Sequence, residues 1–125
     1  MTQEDKDLLL RDLCARLPYG VKCRYQHIQY VENGKIIDIN MFGLVNVDGH
    51  IKDICDIKPY LFPLSSMTEK QKEFLRQQNW YIAISTSGTI ETTIEGFDWL
   101  NKNHFDYRGL IPKGLAIDAT NLNIY

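Results

Sequence analysis

The 125-residue chain is poor in the features that announce chemistry. Its three cysteines, Cys14, Cys23 and Cys55, are widely spaced, and no Cys-x-x-Cys occurs. Zinc ribbons need paired short spacings, so that class is excluded. Buried, reduced thiols are the expectation, with Cys14 and Cys23 on the inner sides of their elements. No apolar run approaches the ~20 residues of a membrane span. The opening MTQEDKDLLLRDL is acidic where a secretory leader is basic. A cytoplasmic protein with no membrane role is expected. Neither sign of charge dominates: 14 Lys and Arg stand against 16 Asp and Glu, a net charge of −2. Nucleic-acid binding driven by bulk charge is therefore disfavoured, which leaves open a local basic face. Phosphate-cradling glycine loops are missing, and so are Gly-x-Ser-x-Gly elbows. Ser85, Ser87 and Gly88 lack the strand–turn–helix context that exposes a nucleophile. No cofactor is expected.

What is present is an ordinary globular composition, 44% apolar and 24% charged. A chain of this length buries about two-thirds of its unfolded surface, enough for a core without staples. Repeats and linkers are lacking, so residues 1–125 read as one domain. Leu10, Leu13, Cys14 and Leu17 form a helical stripe, capped by Thr2 and stopped by Pro18 and Gly20. Asn33-Gly34 and Asp48-Gly49 are hairpin dipeptides. Ile37, Ile39, Met41, Val45 and Val47 alternate as one strand face, with Gly43 marking a bend. Val21, Cys23 and Tyr25 face away from Lys22, Arg24 and Gln26. After Pro59, the apolar stretch Tyr60–Leu64 reads as a loop folded down on the core. Ser66-x-x-Glu69 and Thr68-x-x-Gln71 compete to cap a second helix. WYIAIS suggests a further strand. A third helix is expected from about Thr93 to His104, with Phe97, Leu100 and His104 inward. The fold class is α+β: an N-terminal helix, an antiparallel β-meander of three to five strands, and two further helices packed on one face.

Three clusters are candidate sites. In the first, His104, Asp106, Tyr107 and Arg108 crowd together at the end of the third helix, His104 in its last turn. A catalytic reading makes His104 a base, Asp106 its orienting carboxylate and Arg108 an anion clamp. The structural reading explains more: a helix end that docks, with Asp106 and Arg108 paired across the corner. The second is acidic. Asp48, His50, Asp53 and Asp56, with Asp38 from a neighbouring strand, offer oxygen and imidazole ligands. They do not match a calcium loop, and a solvated hairpin tip accounts for them better. The third is the face of Lys22, Arg24, Gln26, Ile28 and Tyr30, able to hold a single-stranded nucleic acid by charge and stacking. Basic residues on an exposed strand also guard against edge-to-edge pairing, and that reading is preferred.

Two blocks carry a resemblance. IKPYLFPLSSMTEKQKEF (57 to 74) and FDWLNKNHFDYRGLIPKGLAID (97 to 118) resemble blocks in small uncharacterised proteins of gut anaerobes, often found near prophages and mobile elements. The resemblance implies a phage or mobile-element context and no chemistry. The leading functional expectation is a non-catalytic cytoplasmic accessory protein that binds another macromolecule. A protein partner is favoured over a nucleic acid held through Lys22, Arg24 and Tyr30. Trp99, His104, Tyr107 and Arg108 lead the expected contact surface. The alternative is a small metal-dependent hydrolase or nuclease, with His104 and Asp106 catalytic and Asp48, His50 and Asp53 on the metal.

Overall fold

Helix α1 (Gln3–Arg16) begins at a capping box, in which the Thr2 hydroxyl accepts from the Asp5 N–H and the Asp5 carboxylate accepts from the Thr2 N–H. Its buried stripe is Leu9, Asp12, Leu13 and Arg16, one residue ahead of the purely apolar stripe. Cys14 is therefore exposed, contrary to expectation, whereas Cys23 is buried. The shift has a physical cause. Asp12 and Arg16 pair with each other and enter the core together, which an apolar count along the sequence does not register. Leu9 and Leu13, both fully buried, contribute about 1.5–3 kcal/mol each by leaving water.

This computed structural model describes residues 1–26, 29–40, 42–86 and 89–125. Strand β1 (Lys22–Gln26) turns Cys23 and Tyr25 toward α1 and leaves Lys22, Arg24 and Gln26 exposed, as the alternation requires. Strand β2 (Val31–Ile39) runs straight through Asn33-Gly34, which is not a turn. A Cβ on Gly34 would meet Val47 Cγ1 at 2.6 Å and the Asp48 carboxylate at 2.8 Å, so glycine is there for close packing. The long alternating strand is also interrupted. β2 ends at Ile39, and the Asn40 carboxamide accepts from the Phe42 and Leu44 N–H groups to turn the chain into β3 (Leu44–Val47). A register shift between Ile36 and Asp38 buries Ile36 and exposes Ile37. Met41 lies outside the described residues. Asp48 and Gly49, at φ 50° and 93°, form the expected hairpin turn into β4 (His50–Asp53).

The segment expected to be a loop is strand β5 (Ile57–Pro63), antiparallel to β1 and buried at Tyr60 and Leu61. Pro59 lies opposite Cys23, where its missing N–H leaves no gap in the β1 ladder. Farther along, β5 takes two parallel partners, β8 (Phe105–Asp106) and β9 (Ile117–Asp118). The sheet order is β4-β3-β2-β1-β5-β8, with β9 also on β5. The architecture is α+β with a mixed, mostly antiparallel sheet.

Thr68 wins the competition to cap α2 (Glu69–Gln78), while the Ser66 hydroxyl donates to the Pro63 carbonyl. Of WYIAIS only β6 (Ala83–Ile84) pairs, in a separate ribbon with β7 (Ile90–Glu91). Thr93 caps α3 (Ile94–Lys102). One core lies between α1 and the sheet and takes in Leu110, Leu115 and Ala116 from the tail. The second gathers Ile90, Leu100 and Phe105, ringed by Phe62, Phe97 and Trp99. No helix among the described residues is long and apolar enough to cross a membrane.

Candidate nucleic-acid interface

Strand β1 lies inside the sheet, paired on both sides. Edge protection therefore cannot account for Lys22 and Arg24 on its outer face, and the preferred explanation of those cations falls. The register adds more of them. Lys22 stands opposite Lys35 of β2, and Arg24 stands between Asn33 of β2 and Lys58 of β5. All four side chains are exposed. Like charges directly opposed on a sheet destabilise it, by roughly 0.8 kcal/mol per pair at about 5 Å even in bulk water. Among the described residues, none of the four forms an ion pair with a carboxylate. Glu32 is turned the other way, accepting from the Tyr25 hydroxyl at 2.8 Å. Asp48 accepts from the Lys35 backbone N–H at 3.1 Å. Ile28 lies outside the described residues, and Tyr30 is exposed beyond the end of β1.

At one end this face meets Tyr125. The β1–β5 ladder runs from Tyr25–Ile57 to Cys23–Pro59. At the next rung the Tyr125 hydroxyl intervenes, accepting from the Lys22 N–H at 2.8 Å and donating to the Tyr60 carbonyl at 2.8 Å. The Tyr125 ring stacks on His104 at 3.7 Å between centroids and 11° between planes. Lys22 Nζ lies 5.8 Å from the same ring and donates to the Ile124 carbonyl at 2.9 Å. Beyond Tyr125 opens a cleft of about 530 Å³ between β5, α2 and the end of α3.

The first predicted cluster is engaged internally. His104 takes a left-handed φ of 63°, its N–H donating to Asn101 and its carbonyl accepting from Phe62. Its backbone, and not its ring, closes the helix end. Burial, with the cations Arg16 and Lys22 adding to it, pushes the imidazole down to about 4. A base so weak is poorly matched to work near neutral pH. The Asp106 carboxylate does not orient His104, because its two oxygens accept from the Leu110 and Ile111 N–H groups at 3.0 and 2.9 Å. Nor does Asp106 pair with Arg108, as expected. Arg108 instead donates to Asp12 of α1 at 3.0 Å and to the Tyr107 hydroxyl at 2.9 Å. Tyr107 donates to Asn101, and Trp99 stacks between Phe74 and Phe105.

The acidic cluster does not converge. Asp53 accepts from the Cys55 N–H, Asp38 from the Ile39 N–H, and His50 stacks on Tyr25. Among the described residues no three His, Cys, Asp or Glu side chains come together in a metal-binding group. Lys35, Lys58 and Tyr125 were not foreseen as members of any site. Lys35 follows from the β1–β2 register, which the misplaced turn at Asn33-Gly34 obscured. Lys58 sits in a proline-flanked stretch that reads as loop, and nothing local marks Tyr125. No family model matches the chain, and no curated protein or solved structure matches it either.

Proposed function

We propose that the protein is a non-catalytic accessory protein that binds a nucleic acid, holding its phosphates on the outer face of β1, β2 and β5. The sequence favoured a protein partner; the register of the sheet moves the balance. One observation carries the reading: Lys22 opposes Lys35 and Arg24 opposes Lys58 on a strand with no edge to protect. A pairing that weakens the free sheet is relieved when a polyanion lies across it. With a net charge of −2, this grouping of four of the 14 Lys and Arg residues is not supplied by overall composition. A cytoplasmic setting and the mobile-element context implied by the two sequence blocks belong to the same reading.

The test is fluorescence anisotropy with labelled single-stranded RNA and DNA over a salt series. Four phosphate contacts give a slope of log affinity against log salt of about −3 for a single strand. Each of Lys22→Gln, Arg24→Gln, Lys35→Gln and Lys58→Gln should reduce that slope by about 0.7. Poly-glutamate serves as the competing polyanion. No binding at 50 mM salt, binding indifferent to all four substitutions, or a preference for poly-glutamate would each overturn the proposal.

A further inference from the structure

The geometry points to a base-receiving cleft: we infer that one unstacked nucleobase of a single strand enters beside Tyr125 while the adjoining phosphates lie on the basic face. This rests on the nucleic-acid reading and adds to it the form of the strand. Continuity is the first argument. Lys22 belongs to the basic face and lies over the Tyr125 ring, and that ring is a wall of the cleft, so the two surfaces share a boundary. A chain crossing from one to the other passes Tyr125.

Pre-organisation is the second. Tyr125 is exposed as a residue, yet its hydroxyl is tied to both Lys22 and Tyr60 and one face of its ring is fixed against His104. An aromatic surface held in this way orders a base with little loss of its own freedom. The chemistry of the walls is the third. About 530 Å³ falls in the range of small-ligand sites, and Phe62 with Tyr125 supplies apolar surface. Asn121 brings an amide that both donates and accepts. Gln71, whose oxygen accepts from the Thr68 N–H, adds its amide donor, and Asn103, whose nitrogen donates to the Trp99 carbonyl, adds its amide oxygen for a base edge. Lys102, exposed on the same wall, offers a cation for the phosphate on the far side of the base. A duplex keeps its bases stacked and paired, and cannot use such a cleft without extruding one.

Anisotropy titrations of the unaltered protein with an eight-nucleotide oligouridylate, the same chain with its central positions abasic, and a duplex of equal length test the inference. The oligouridylate should bind about tenfold tighter than the abasic chain and the duplex. Tyr125→Leu should bring oligouridylate down to the abasic level, while Tyr125→Phe, which keeps the ring, should retain most of the difference. Equal binding of the base-bearing and abasic chains, still lost on basic-face substitution, would overturn the base cleft and leave the phosphate reading standing. Duplex binding as tight as single strand would do the same. Failure of every oligonucleotide to bind removes both. The abasic comparison needs no substitution, so it decides even where Tyr125→Leu unfolds the chain.

Discussion

Arg16 and Asp12 lie one turn apart on α1 with neither side chain exposed to solvent, joined by hydrogen bonds of 2.8 and 3.1 Å. The pair reaches outward from the helix. Arg16 Nη2 donates to the Phe105 carbonyl at 2.6 Å, and Asp12 accepts from Arg108 at 3.0 Å. Arg16 and Arg108 both approach the Tyr107 ring, at 5.3 and 4.6 Å from its centroid. One carboxylate thus bridges two guanidinium groups, with one positive charge left over, and ties α1 to the segment that follows α3.

The first prediction concerns that carboxylate. Asp12→Asn keeps the shape and removes the charge, leaving Arg16 buried without a counter-ion. Breaking such a pair from one side typically costs about 3–5 kcal/mol. Arg108 is 21% exposed at its side chain, so Arg108→Gln should cost only about 1 kcal/mol. Urea midpoints of the two variants check the ranking; equal losses would show that Arg16 is not the group at stake.

Asp106 and Arg108 should behave independently of one another. Asp106 caps the turn through two backbone N–H groups, of which asparagine can satisfy one with its single carbonyl oxygen. Asp106→Asn is expected to lower stability by about 1–3 kcal/mol. Because Arg108 has its partners elsewhere, the double variant should equal the sum of the singles to within about 0.5 kcal/mol. A coupling above 1 kcal/mol in the double-mutant cycle would revive the direct pair.

His104 makes the fold acid-sensitive. Its folded value of about 4 lies below the ordinary 6.5, burial being the larger cause and the cations Arg16 and Lys22 the lesser. The unfolded chain therefore binds a proton first as pH falls. The stability that His104 contributes is complete above pH 6.5 and is lost progressively between about 6.5 and 4, by on the order of 3 kcal/mol. His104→Gln should flatten the stability profile across that window. An unchanged profile would mean that the loss comes from other groups.

The thiols should divide two to one. Cys14 and Cys55 are exposed and Cys23 is buried, with its thiol pushed up to about 12, chiefly by burial and further by Asp48. Under native conditions a thiol reagent should reach Cys14 and also Cys55, the latter more slowly because burial and a hydrogen bond with Asp53 push its thiol up, and Cys23 only on unfolding. Labelling of all three in the native state would show that the β1 core opens readily.

The sequence was legible where one signal acted alone. Thr2 caps α1 as read, because its hydroxyl needs only a neighbouring N–H, whereas the choice between Ser66 and Thr68 was left open and is settled by where α2 begins. Val21, Cys23 and Tyr25 point inward because alternation is local. Errors arose where tertiary contacts overrode local preference. The side chains of Val47 and Asp48 press against Gly34 and keep a turn dipeptide extended. Asp12 and Arg16 take core positions because each neutralises the other. Pro59 is tolerated inside a sheet because its ladder position asks for no donor. The basic face was half visible, since Lys22 and Arg24 alternate within one strand. Lys35 and Lys58 join them only through pairings that no local pattern encodes.

The position of β5 also has a temporal consequence. During synthesis β5 can dock at once on β1, which precedes it, but its parallel partners, residues 105–106 and 117–118, are translated long afterwards. Until then the nascent strand presents Leu61 and Phe62 with part of its backbone unpaired. Contacts so distant along the chain form slowly, and an open strand of this kind is a template for pairing with other molecules. The blocks around β5 and around β8 and β9 must therefore emerge from the ribosome before the sheet is safe from aggregation. Pro63 at the end of β5, which cannot donate to a foreign ladder, limits the exposure in the interval.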